Sequence, residues 1–590
     1  MAGMAHGHVL VLDGDKIPAL DIVRGLGRAG VSVTAGAPCK DAVAFRSRFA
    51  RACVTYPDPA DAPAAFIEWL EETLRRDRCS LVIPVTDLTV VPISKNLDRL
   101  GTLSTLATES FDKMQIVCDK ASTLQLARTV GVPAPASVVV RSADDLERRA
   151  ETLQFPIACK PLSSSVWAPS GFRSFPVFYA FDRRELRAEV LARIDDCPVI
   201  LQEYTQGIGV GVEVLARNGE LLQVFQHRRL HELPLTGGGS TYRMSVPVDR
   251  TLREYAARLM GALRWTGVAM IEFKVNDETG AASLMEINGR FWGSLPLSSR
   301  AGMCFAKDLY EMLVGEKTSA PRPYRSGVRC RRLRDDIEWF KANLSVDPRD
   351  PAVLAGFVRP RSIGTLLREA VRMASPAEHC DVQVFWDPVP GAVDLWQTAV
   401  EQLRGVKRRI ARGAGRLSSR WYRLRRRNVL VQKLPAVEKL LFVCYGNIIR
   451  SPFASAYLAR RTSGNGSRIE TTSAGIYDRQ DREADPRAIA AGRGWNIDLS
   501  SHRSKPLSDD LIRWADLIFV MDRTNLEEVR KRYPDSAGKL YLLGIARTRR
   551  RSRPPIAASW TPSIRSSPTR VARARSARPS CGTAAAATAA

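Results

Sequence analysis

Apolar and polar positions follow two periods along the first 110 residues of the chain. The runs HVLVLDG, VSVTAG and CSLVIPV are patterns of buried strands, and ALDIVRGLGRAG and AAFIEWLEETLRRD have the spacing of amphipathic helices. This alternation of strands and helices predicts a parallel, doubly wound α/β unit over residues 1–110. Because no G-x-G-x-x-G follows the first strand, the dinucleotide-binding fingerprint is absent.

The pattern changes several times further along the chain, and a length of 590 residues predicts about three to five domains. Residues 111–320 show a mixture of helices, strands and hairpin signals, which is typical of an α+β domain. We expect a mostly helical extension over 321–400 and a basic linker over 401–436, with a surface helix at VKRRIARGAGRL. A second parallel α/β unit, with four strands, is predicted over 437–544, followed by an arginine-rich disordered tail over 545–590.

The net charge of +26 is concentrated in two segments. Residues 401–436 hold twelve Lys or Arg against the single acid Glu401, a sum of +11, and residues 545–590 hold ten Arg and no acid, a sum of +10. The rest of the chain is therefore near neutral, so we expect a solvated linker and tail rather than a nucleic-acid surface. Binding of nucleic acid through these two segments stays an alternative.

The cysteine pattern and the hydropathy indicate a cytoplasmic protein. The 11 cysteines are scattered singly without C-x-x-C pairs, which suits a reducing compartment. We find no apolar run near the roughly 18 residues of a membrane span, and the N-terminus lacks the charged region and cleavage site of a signal peptide. The sequence thus predicts no membrane insertion.

The stretch AMIEFKVNDETGAASLMEINGRFWGS, residues 269–294, predicts a hairpin whose turn lies in NDETG. If the turn centres on Thr279, Glu272 lies directly across from Glu286, and Asn288 shares the face of Glu286. Two carboxylates and an amide on one patch are ligands that Mg²⁺ prefers, with phosphate oxygens completing the shell. The hairpin therefore predicts a metal site.

Two lysines and a strand end lie upstream of this hairpin. Lys120 begins a predicted helix, Lys160 ends an apolar strand beside a serine-rich loop, and Glu203 stands at a bend before a glycine-rich strand. Together with the E…E-x-N-x-R set, these residues give residues 1 to about 320 a resemblance to the ATP-grasp superfamily. The resemblance implies ATP between two α+β lobes, with the adenine beside Gln202, Glu203 and Tyr204.

The resemblance also implies roles for the charged residues. Lys120 and Lys160 would contact phosphates, Glu272, Glu286 and Asn288 would bind Mg²⁺, and Arg290 would face the γ-phosphate or the substrate. The implied reaction activates a carboxylate as an acyl phosphate, which an amine or similar nucleophile then attacks. Positioning and charge neutralisation carry most of such a transfer.

The sequence departs from the ATP-grasp pattern in the loops. SSSVWAPSGF, after Lys160, is poor in glycine for a loop that covers phosphates. Gly209 stands where many members have an acid for the ribose hydroxyls, and we expect Glu213 to substitute for it. LTGGGSTYRMS is the expected γ-phosphate loop, with Arg228 or Arg243 as its cation.

The stretch LFVCYGNIIRSP, residues 441–452, places a cysteine between a strand and a helix. The spacing Cys444-x5-Arg450 lets one loop surround a tetrahedral anion with inward backbone N–H groups and a bidentate guanidinium. Ser451-Pro452 starts a helix whose dipole faces the same anion and, with Arg450, favours the thiolate of Cys444 as a nucleophile. We expect Ser451 to donate to the thiolate. The predicted anion-binding loop is completed by Tyr445, Gly446 with a positive φ, Asn447 as an internal brace, Ile448 and Ile449.

With TTSAGI, ADLIFVMDRTN and KLYLLG following in order, this unit resembles the low-molecular-weight protein tyrosine phosphatases. The resemblance implies attack by Cys444 on a phosphomonoester, such as a phosphotyrosine protein, through a phosphocysteine intermediate. The related arsenate reductases need further cysteines. Beyond Cys444 only Cys581 remains, and Ile449 fills a position that is often a second cysteine, so we do not expect that activity.

The phosphatase family protonates the leaving oxygen with an Asp from a C-terminal Asp-Pro loop, but no Asp or Glu follows Asp535 here. General acid catalysis contributes about 10²–10⁴ in rate. The abrupt arginine-rich tail predicts a truncated or frameshifted domain. If the codons of 562–565 are CCG TCG ATC CGG, a shift of two bases restores Val-Asp-Pro, which the DNA sequence would test. We also expect one face of the second sheet to lack its covering helix.

The leading interpretation is an ATP- and Mg²⁺-dependent ligase fused to a cysteine-dependent phosphatase domain without its general acid. Two alternatives remain open: the second domain is a phosphate-binding regulatory module, or the protein is chiefly a tyrosine phosphatase with an accessory ATP-binding domain. Turnover of an activated aryl phosphate, lost in Cys444→Ser, separates enzyme from binding module.

Overall fold

The computed structural model describes residues 7–546 except 150–151, 163–165, 169–170, 174–176, 196, 316–320, 355 and 464–467. The tail from 547, and part of the loop SSSVWAPSGF, lie outside the described residues. The chain divides into two compact units, one up to Val400 and one from Glu401. Each unit is described by itself.

The first unit begins with the predicted parallel α/β fold. Five parallel strands have the order β3-β2-β1-β4-β5. The strands are β1 His8–Val11, β2 Ser32–Ala37, β3 Ala52–Thr55, β4 Leu81–Ile83 and β5 Thr105–Leu106, and the helices are α1 Ile17–Arg28, α2 Pro63–Asp77, α3 Asp87–Lys95 and α4 Leu97–Gly101. Alternate residues of β1 enter different cores: Val9 and Val11 pack with α1, while Leu10 packs with α2. The prediction of a doubly covered sheet is confirmed.

An antiparallel sheet of order β10-β7-β11-β6 forms a small lobe. Its strands are β6 Ser137–Val140, β7 Ile157–Pro161, β10 Phe178–Ala180 and β11 Val199–Glu203, and a separate pair is β8 Val166–Ala168 with β9 Gly171–Arg173. The helices of this part are α5 Phe111–Cys118, α6 Lys120–Thr129, α7 Ala143–Arg149 and α8 Arg183–Leu191. Ile157, Leu186 and Leu201 are buried between sheet and helices.

A seven-stranded sheet of order β16-β15-β12-β13-β14-β17-β18 forms the large lobe. Its strands are β12 Ile208–Arg217, β13 Glu220–Leu233, β14 Gly239–Val246, β15 Gly267–Val275, β16 Ala282–Asn288, β17 Arg329–Arg331 and β18 Glu378–Cys380. The helices are α9 Arg250–Leu263, α10 Leu295–Ala301, α11 Phe305–Leu313, α12 Leu333–Ser345, α13 Pro351–Leu354 and α14 Ile363–Met373. The segment 321–400 therefore adds two strands to this sheet as well as the predicted helices.

The β15–β16 hairpin contains a bulge that decides which side chains face each other. Val275 pairs with Ala282 and Phe273 with Leu284, but Glu272 pairs with Glu286, so Met285 is an extra residue. The predicted pairing of Glu272 with Glu286 is confirmed. A regular ladder from the same turn would have placed Met285 opposite Glu272.

The second unit is built on four parallel strands of order β20-β19-β21-β22, as predicted. A 46-residue helix, α15 Pro388–Lys433, leads from the first unit into the second and includes most of the predicted basic linker. The strands are β19 Lys439–Cys444, β20 Glu470–Gly475, β21 Leu517–Val520 and β22 Leu540–Leu542, and the helices are α16 Arg450–Thr462, α17 Pro486–Arg493, α18 Asp509–Trp514 and α19 Arg523–Arg532.

The expectation of an uncovered sheet face in the second unit is wrong. Tyr541 is fully buried, and Leu430 near the end of α15 packs into the same cluster as Phe442 and Phe519. The Arg426 guanidinium lies 4.7 Å from the centre of the Tyr541 ring and donates to the carbonyl oxygen of Ala537 at 2.7 Å. The end of α15, the helix that precedes β19, thus covers this part of the sheet. The order of strands and helices in the sequence did not predict this contact.

Among the described residues, no helix is both long and apolar enough to cross a membrane.

Candidate functional site

Glu272, Glu286 and Asn288 meet on one face of the large sheet. The Asn288 amide nitrogen donates to Glu286 Oε1 at 3.1 Å and to Glu272 Oε1 at 3.3 Å. Among the described residues, no group of three or more His, Cys, Asp and Glu side chains could hold a metal ion. This patch offers two carboxylates and an amide, a donor set that fits a hard, oxygen-preferring cation together with oxygens from a ligand.

The two carboxylates have pKa values shifted in opposite directions. Burial raises the pKa of Glu272, and the nearby charge of Glu286 adds to this, although Arg229 opposes both. Burial also disfavours the charge of Glu286, but Lys120, the Asn288 amide and Lys160 together hold its pKa below the ordinary range. Glu286 is therefore the more strongly ionised partner near neutral pH.

The predicted phosphate-contacting lysines lie beside this patch. Lys120 is the first residue of α6, whose N-cap Asp119 accepts a hydrogen bond from the Ser122 N–H. Lys160 lies on β7, and its Nζ donates to Gln202 Oε1 at 2.6 Å. Burial lowers the pKa of Lys160 to about 8, with Glu286 opposing this shift and Lys120 adding to it. The structure thus brings Lys120, Lys160 and Glu286 into one electrostatic cluster.

Gln202, Glu203 and Tyr204 form the end of β11 and the start of the link to the large lobe. The Gln202 side chain is buried against Lys160, and Glu203 Oε1 accepts a hydrogen bond from the Gln154 N–H at 2.9 Å. The Tyr204 ring packs edge-on against Tyr179 and Phe357, with centroid distances of 5.7 and 4.5 Å. These contacts tie the link to Gln154, Lys160 and Tyr179 of the small lobe and to Phe357 of the later extension.

Arg229 belongs to the metal patch and was missed in the sequence. Its Nη2 donates to Glu272, and its Nη1 donates to the Gly238 carbonyl oxygen at 2.9 Å. The guanidinium crosses β12 because Gly209 leaves room for it: a Cβ at Gly209 would lie 2.6 Å from Arg229 Cδ. The G-x-G of β12, with long polar residues in the next strand, was the signal that could have revealed it.

Two expectations for ligand-binding residues, Arg243 as the cation near the γ-phosphate and Glu213 as the ribose-binding acid, are wrong because both side chains are buried. Arg243 lies inside β14, fully buried and paired with Asp381, so it does not face a ligand. Glu213 is also fully buried, and its Oε1 lies 2.6 Å from His227 Nδ1. Glu213 is therefore not placed to substitute for a ribose-binding acid at Gly209.

Arg290 contacts the N-terminal α/β fold. Its Nε and Nη2 donate to the two carboxylate oxygens of Asp87 at 2.8 and 3.2 Å, across 203 residues of sequence. Burial opposes the charge of Asp87, yet Arg290 holds the Asp87 pKa below its usual range. A cavity of about 270 Å³ opens here, with a polar wall of Asp87, Lys120, Glu286 and Asn288 and an apolar wall that includes Phe111 and Met114.

In the second unit, Cys444 ends β19 and is buried at the base of the predicted loop. Its Sγ lies 3.0 Å from Ser451 Oγ and accepts a hydrogen bond from the Asn447 N–H at 3.2 Å. The predicted contact between Ser451 and the sulfur is therefore present. The backbone N–H thus donates to the sulfur, whereas the Ser451 hydroxyl shares its contact with the sulfur and also donates to the Ala474 carbonyl oxygen at 3.3 Å.

Asn447, rather than Gly446, has the left-handed backbone of the loop, with φ of +52°. The expected positive φ at Gly446 is wrong. The left-handed residue is Asn447, whose side chain stabilises that conformation with hydrogen bonds. Its Nδ2 donates to Ser451 Oγ at 3.0 Å and to Ser473 Oγ at 2.9 Å, and its Oδ1 accepts from the Lys505 N–H at 2.9 Å. The predicted internal brace is confirmed.

His502 and Asp522 are further site residues that the sequence analysis missed. His502 Nε2 lies 2.7 Å from the Asn447 carbonyl oxygen. Burial lowers the His502 pKa, so the neutral ring donates to that carbonyl near pH 7. Asp522 accepts a hydrogen bond from Arg450 Nη1 at 2.7 Å. Distant segments thus fix the loop and its arginine.

The remaining loop residues take different environments. Tyr445 is exposed and stacks on Tyr477 with a centroid distance of 5.6 Å. The Ile448 carbonyl oxygen accepts from the Asp485 N–H at 2.9 Å, and Ile449 packs against the core cluster that contains Phe453. The aromatic pair and the arginine lie at the accessible side of the loop, while Ile449 anchors it.

Comparisons with known proteins give a match for each unit. The family model for low molecular weight phosphotyrosine protein phosphatase matches residues 439–551, and the model for ATP-grasp in the biosynthetic pathway with Ter operon matches residues 195–335. The probable low molecular weight protein-tyrosine-phosphatase EpsP of Ralstonia nicotianae is 38% identical over 108 residues, 18% of this chain and 72% of that protein.

Two further similarities concern the first unit. The carbamoyl phosphate synthase large chain of Methanoregula boonei is 25% identical over 265 residues, 44% of this chain and 24% of that protein. The crystal structure of L-amino acid ligase from Bacillus licheniformis aligns with a TM-score of 0.43 and 16% identity, covering 53% of this chain and 75% of that one. The ATP-grasp family model therefore matches the part of the first unit that holds Glu272, Glu286 and Asn288, and through residues 439–551 the chain belongs to the low molecular weight phosphotyrosine protein phosphatase family.

Proposed function

We propose that the first unit is an ATP-dependent ligase that activates a carboxylate as an acyl phosphate. The convergence of Glu272, Glu286 and Asn288 with Lys120 and Lys160 supports this proposal, because it combines cation ligands with phosphate-binding cations. ATP would lie with its adenine beside residues 202–204 and its phosphates near the two lysines. Mg²⁺ held by the two carboxylates and the amide would neutralise phosphate charge.

The cavity beside Arg290 is the proposed place for the carboxylate substrate. A carboxylate oxygen attacks the γ-phosphorus, the bond from that phosphorus to the β–γ bridging oxygen breaks, and ADP leaves. An amine or similar nucleophile then attacks the acyl carbon, and inorganic phosphate leaves. Arg290, which Asp87 orients, would stabilise the charge on the transferred group.

Binding of MgATP, measured by calorimetry, tests this proposal. We expect Glu286→Gln to weaken MgATP binding by about tenfold or more, because a charged ligand is lost. Glu278→Gln, in the exposed turn of the same hairpin, is the matched control and should leave affinity unchanged. Absence of MgATP binding by the unsubstituted chain, or equal effects of the two substitutions, would contradict the proposal.

We propose that the second unit hydrolyses phosphomonoesters, with a phosphotyrosine protein as the substrate class. Cys444 Sγ attacks phosphorus, the ester P–O bond breaks, and the leaving oxygen takes a proton from solvent. Water then attacks the phosphocysteine, releasing phosphate and restoring the thiolate. The contacts of Cys444 with Ser451 and the Asn447 N–H support this role.

A phosphate-binding module without turnover is the second candidate for this unit, because no Asp or Glu follows Asp535 to act as the general acid. The ratio of turnover for p-nitrophenyl phosphate to phenyl phosphate distinguishes the two. A poor leaving group needs the acid most, so an enzyme without it should show a steep dependence on leaving group. Phosphate binding with no turnover of either ester would favour the module.

We propose a cytoplasmic location for the chain. None of the ten cysteines that the structure describes forms a disulfide, which supports a reducing compartment. Fluorescence microscopy of a fusion protein, with fractionation as the second measurement, tests the location.

A further inference from the structure

The long helix α15 exposes apolar side chains along one side. Trp396 and Leu403, seven residues apart, are 71% and 62% exposed, and Val389, Val406 and Val431 are exposed as well. Val389, Trp396 and Leu403 are spaced by seven residues, and each such interval drifts by about 20° around a helix, so these three side chains lie within about 40° of one another, with Val406 about 60° further around. These four side chains form an apolar stripe on the first part of α15.

The start of α15 contacts the first unit and its end contacts the second unit, in each case through a side of the helix other than the apolar stripe. Near the start, Asp394 accepts a hydrogen bond from the Gln383 amide at 2.7 Å, and Asp394 lies about 160° around the helix from Trp396. Near the end, Leu430 is buried in the second unit, whereas its neighbour Val431 is exposed. Packing within each unit therefore leaves the stripe uncovered among the residues described.

The charge of the same helix indicates which partner could cover the stripe. Residues 401–436 contain twelve Lys or Arg and one acid. Two copies of this helix would bring like charges together, which disfavours self-association through the stripe. Nucleic acid would neutralise the positive charge, but it would not bury the exposed Trp396 and Leu403 side chains. An anionic lipid surface satisfies both, because basic amphipathic helices with Trp and Leu on the apolar side lie in the membrane interface.

We propose that α15 is a peripheral membrane-binding element for surfaces that contain anionic phospholipid. The stripe defined by Val389, Trp396, Leu403 and Val406 enters the headgroup region, and the basic side chains contact lipid phosphates. The helix lies parallel to the surface and does not cross the bilayer. This function is independent of ATP binding and of phosphatase activity, and it would hold both catalytic units near substrates at a membrane.

Cosedimentation of the full chain with vesicles tests the proposal. We expect the chain to pellet with phosphatidylcholine vesicles that contain about a third phosphatidylglycerol, and not with pure phosphatidylcholine vesicles. Binding should fall when salt is raised to about 1 M, where the screening length shortens to about 3 Å. The double variant Trp396→Asp/Leu403→Asp should reduce partitioning about tenfold or more, because two buried apolar groups are lost.

The double variant Leu367→Asp/Val371→Asp is the matched control. It makes the same charge change at two side chains of α14 that are 62% and 75% exposed, and it should pellet like the unsubstituted chain. All four positions are exposed, so folding should persist, which circular dichroism checks. A second variant, Arg404→Gln/Lys407→Gln, keeps the stripe and should also lower binding to anionic vesicles about tenfold.

Several outcomes would overturn the proposal. The first is absence of pelleting with anionic vesicles, and the second is an equal loss in the α14 control. A concentration-dependent dimer that Trp396→Asp/Leu403→Asp abolishes, without vesicle binding, would assign the stripe to a second copy of the chain. Salt-sensitive binding of duplex DNA that this variant leaves unchanged, again without vesicle binding, would assign the helix to nucleic acid.

Discussion

The two candidate sites are assembled in different ways. The core of the phosphatase-like site is one loop, residues 444–451, in which the Asn447 N–H donates to the Cys444 sulfur, while His502 and Asp522 contact this loop from later in the chain. The ATP-grasp site gathers residues from α3, α6, β7, β13, β15 and β16, with Asp87 and Arg290 separated by 203 positions. A loop motif thus brings most of its contacting groups together within one segment, whereas a site built across strands depends on register, bulges and the packing between lobes.

The sites also differ in how charge is balanced. In the site of the first unit, positive side chains offset buried carboxylates: Glu286 and Glu272 oppose the lowering of the Lys160 pKa, and Lys160 helps to hold the Glu286 pKa below its ordinary range. In the phosphatase site, uncharged groups, namely the Ser451 hydroxyl and the Asn447 N–H, surround the sulfur. We therefore expect ligand binding at the first site to depend on pH, and the second site to be more sensitive to the loss of single hydrogen bonds.

The largest expected effect comes from removing the nucleophile. Cys444→Ser should lower turnover of p-nitrophenyl phosphate at least about 10³-fold, because a serine hydroxyl is a poor nucleophile without a base. MgATP binding should not change, since the Cys444 site uses none of the ATP-grasp residues. Steady-state kinetics and calorimetry on the same preparation measure both. Residual turnover within tenfold of the unsubstituted chain would remove Cys444 from the mechanism.

Asn447→Ala should have the next largest effect. It removes three side-chain hydrogen bonds in a buried network, so we expect the second unit to lose about 3 kcal/mol of stability and phosphatase turnover to fall at least tenfold. Asn496→Ala is the matched control, because Asn496 also has a positive φ, of +54°, but is exposed. Equal losses in urea unfolding would mean that backbone conformation, not the network, decides stability.

Leu430→Ala tests whether the contiguous site depends on the preceding helix. Truncating this buried side chain should destabilise the second unit by about 2–3 kcal/mol. Val431→Ala, next to it and exposed, should change stability by less than about 0.5 kcal/mol. Urea unfolding followed through phosphatase activity measures the difference. No effect of Leu430→Ala would show that the sheet does not need α15.

The smallest effect concerns the pH dependence of MgATP binding. Because burial lowers the Lys160 pKa to about 8, the protein without nucleotide loses this positive charge as the pH rises through that value. Phosphate oxygens nearby favour the protonated form, so binding should take up protons, and affinity should fall about tenfold between about pH 7 and pH 9. Calorimetry in buffers of different ionisation enthalpy detects the uptake. A Lys160→Met variant that keeps the same pH profile would contradict this assignment.

Particular residues show how far the sequence could lead. The strand–helix alternation predicted both parallel sheets, and the motif around Cys444 predicted the contact between Ser451 and the sulfur but not the hydrogen bond from the Asn447 N–H. The Glu272–Glu286 pair was predicted from a turn centred on Thr279. In the structure the turn is centred between Glu278 and Thr279, and the bulge at Met285 then brings Glu286 opposite Glu272. Bulges depend on contacts across the sheet, so the reason for the pairing was not in the hairpin itself.

Other residues could not be found because their partners are distant in the chain. Arg229 reaches Glu272 only because Gly209 leaves a gap in the strand between them, and Asp87 reaches Arg290 from another sheet. Leu430 packs against a sheet face that the sequence analysis expected to be uncovered. Local sequence patterns indicate the type of secondary structure and which side of a helix or strand is buried. They do not indicate which distant side chain packs against that side.

The amino-acid sequence was sufficient to predict the phosphatase family, the resemblance to ATP-grasp enzymes, the order of strands and helices, and the residue types proposed to carry the chemistry. These follow from local periodicity and from motifs whose spacing is set by one turn or one loop. The tertiary structure decided which charges are balanced, which arginine meets which carboxylate, and which side of α15 remains exposed. Those outcomes depend on burial and on contacts between segments far apart in the chain. A buried charged side chain must pair with an opposite charge or have its pKa shifted.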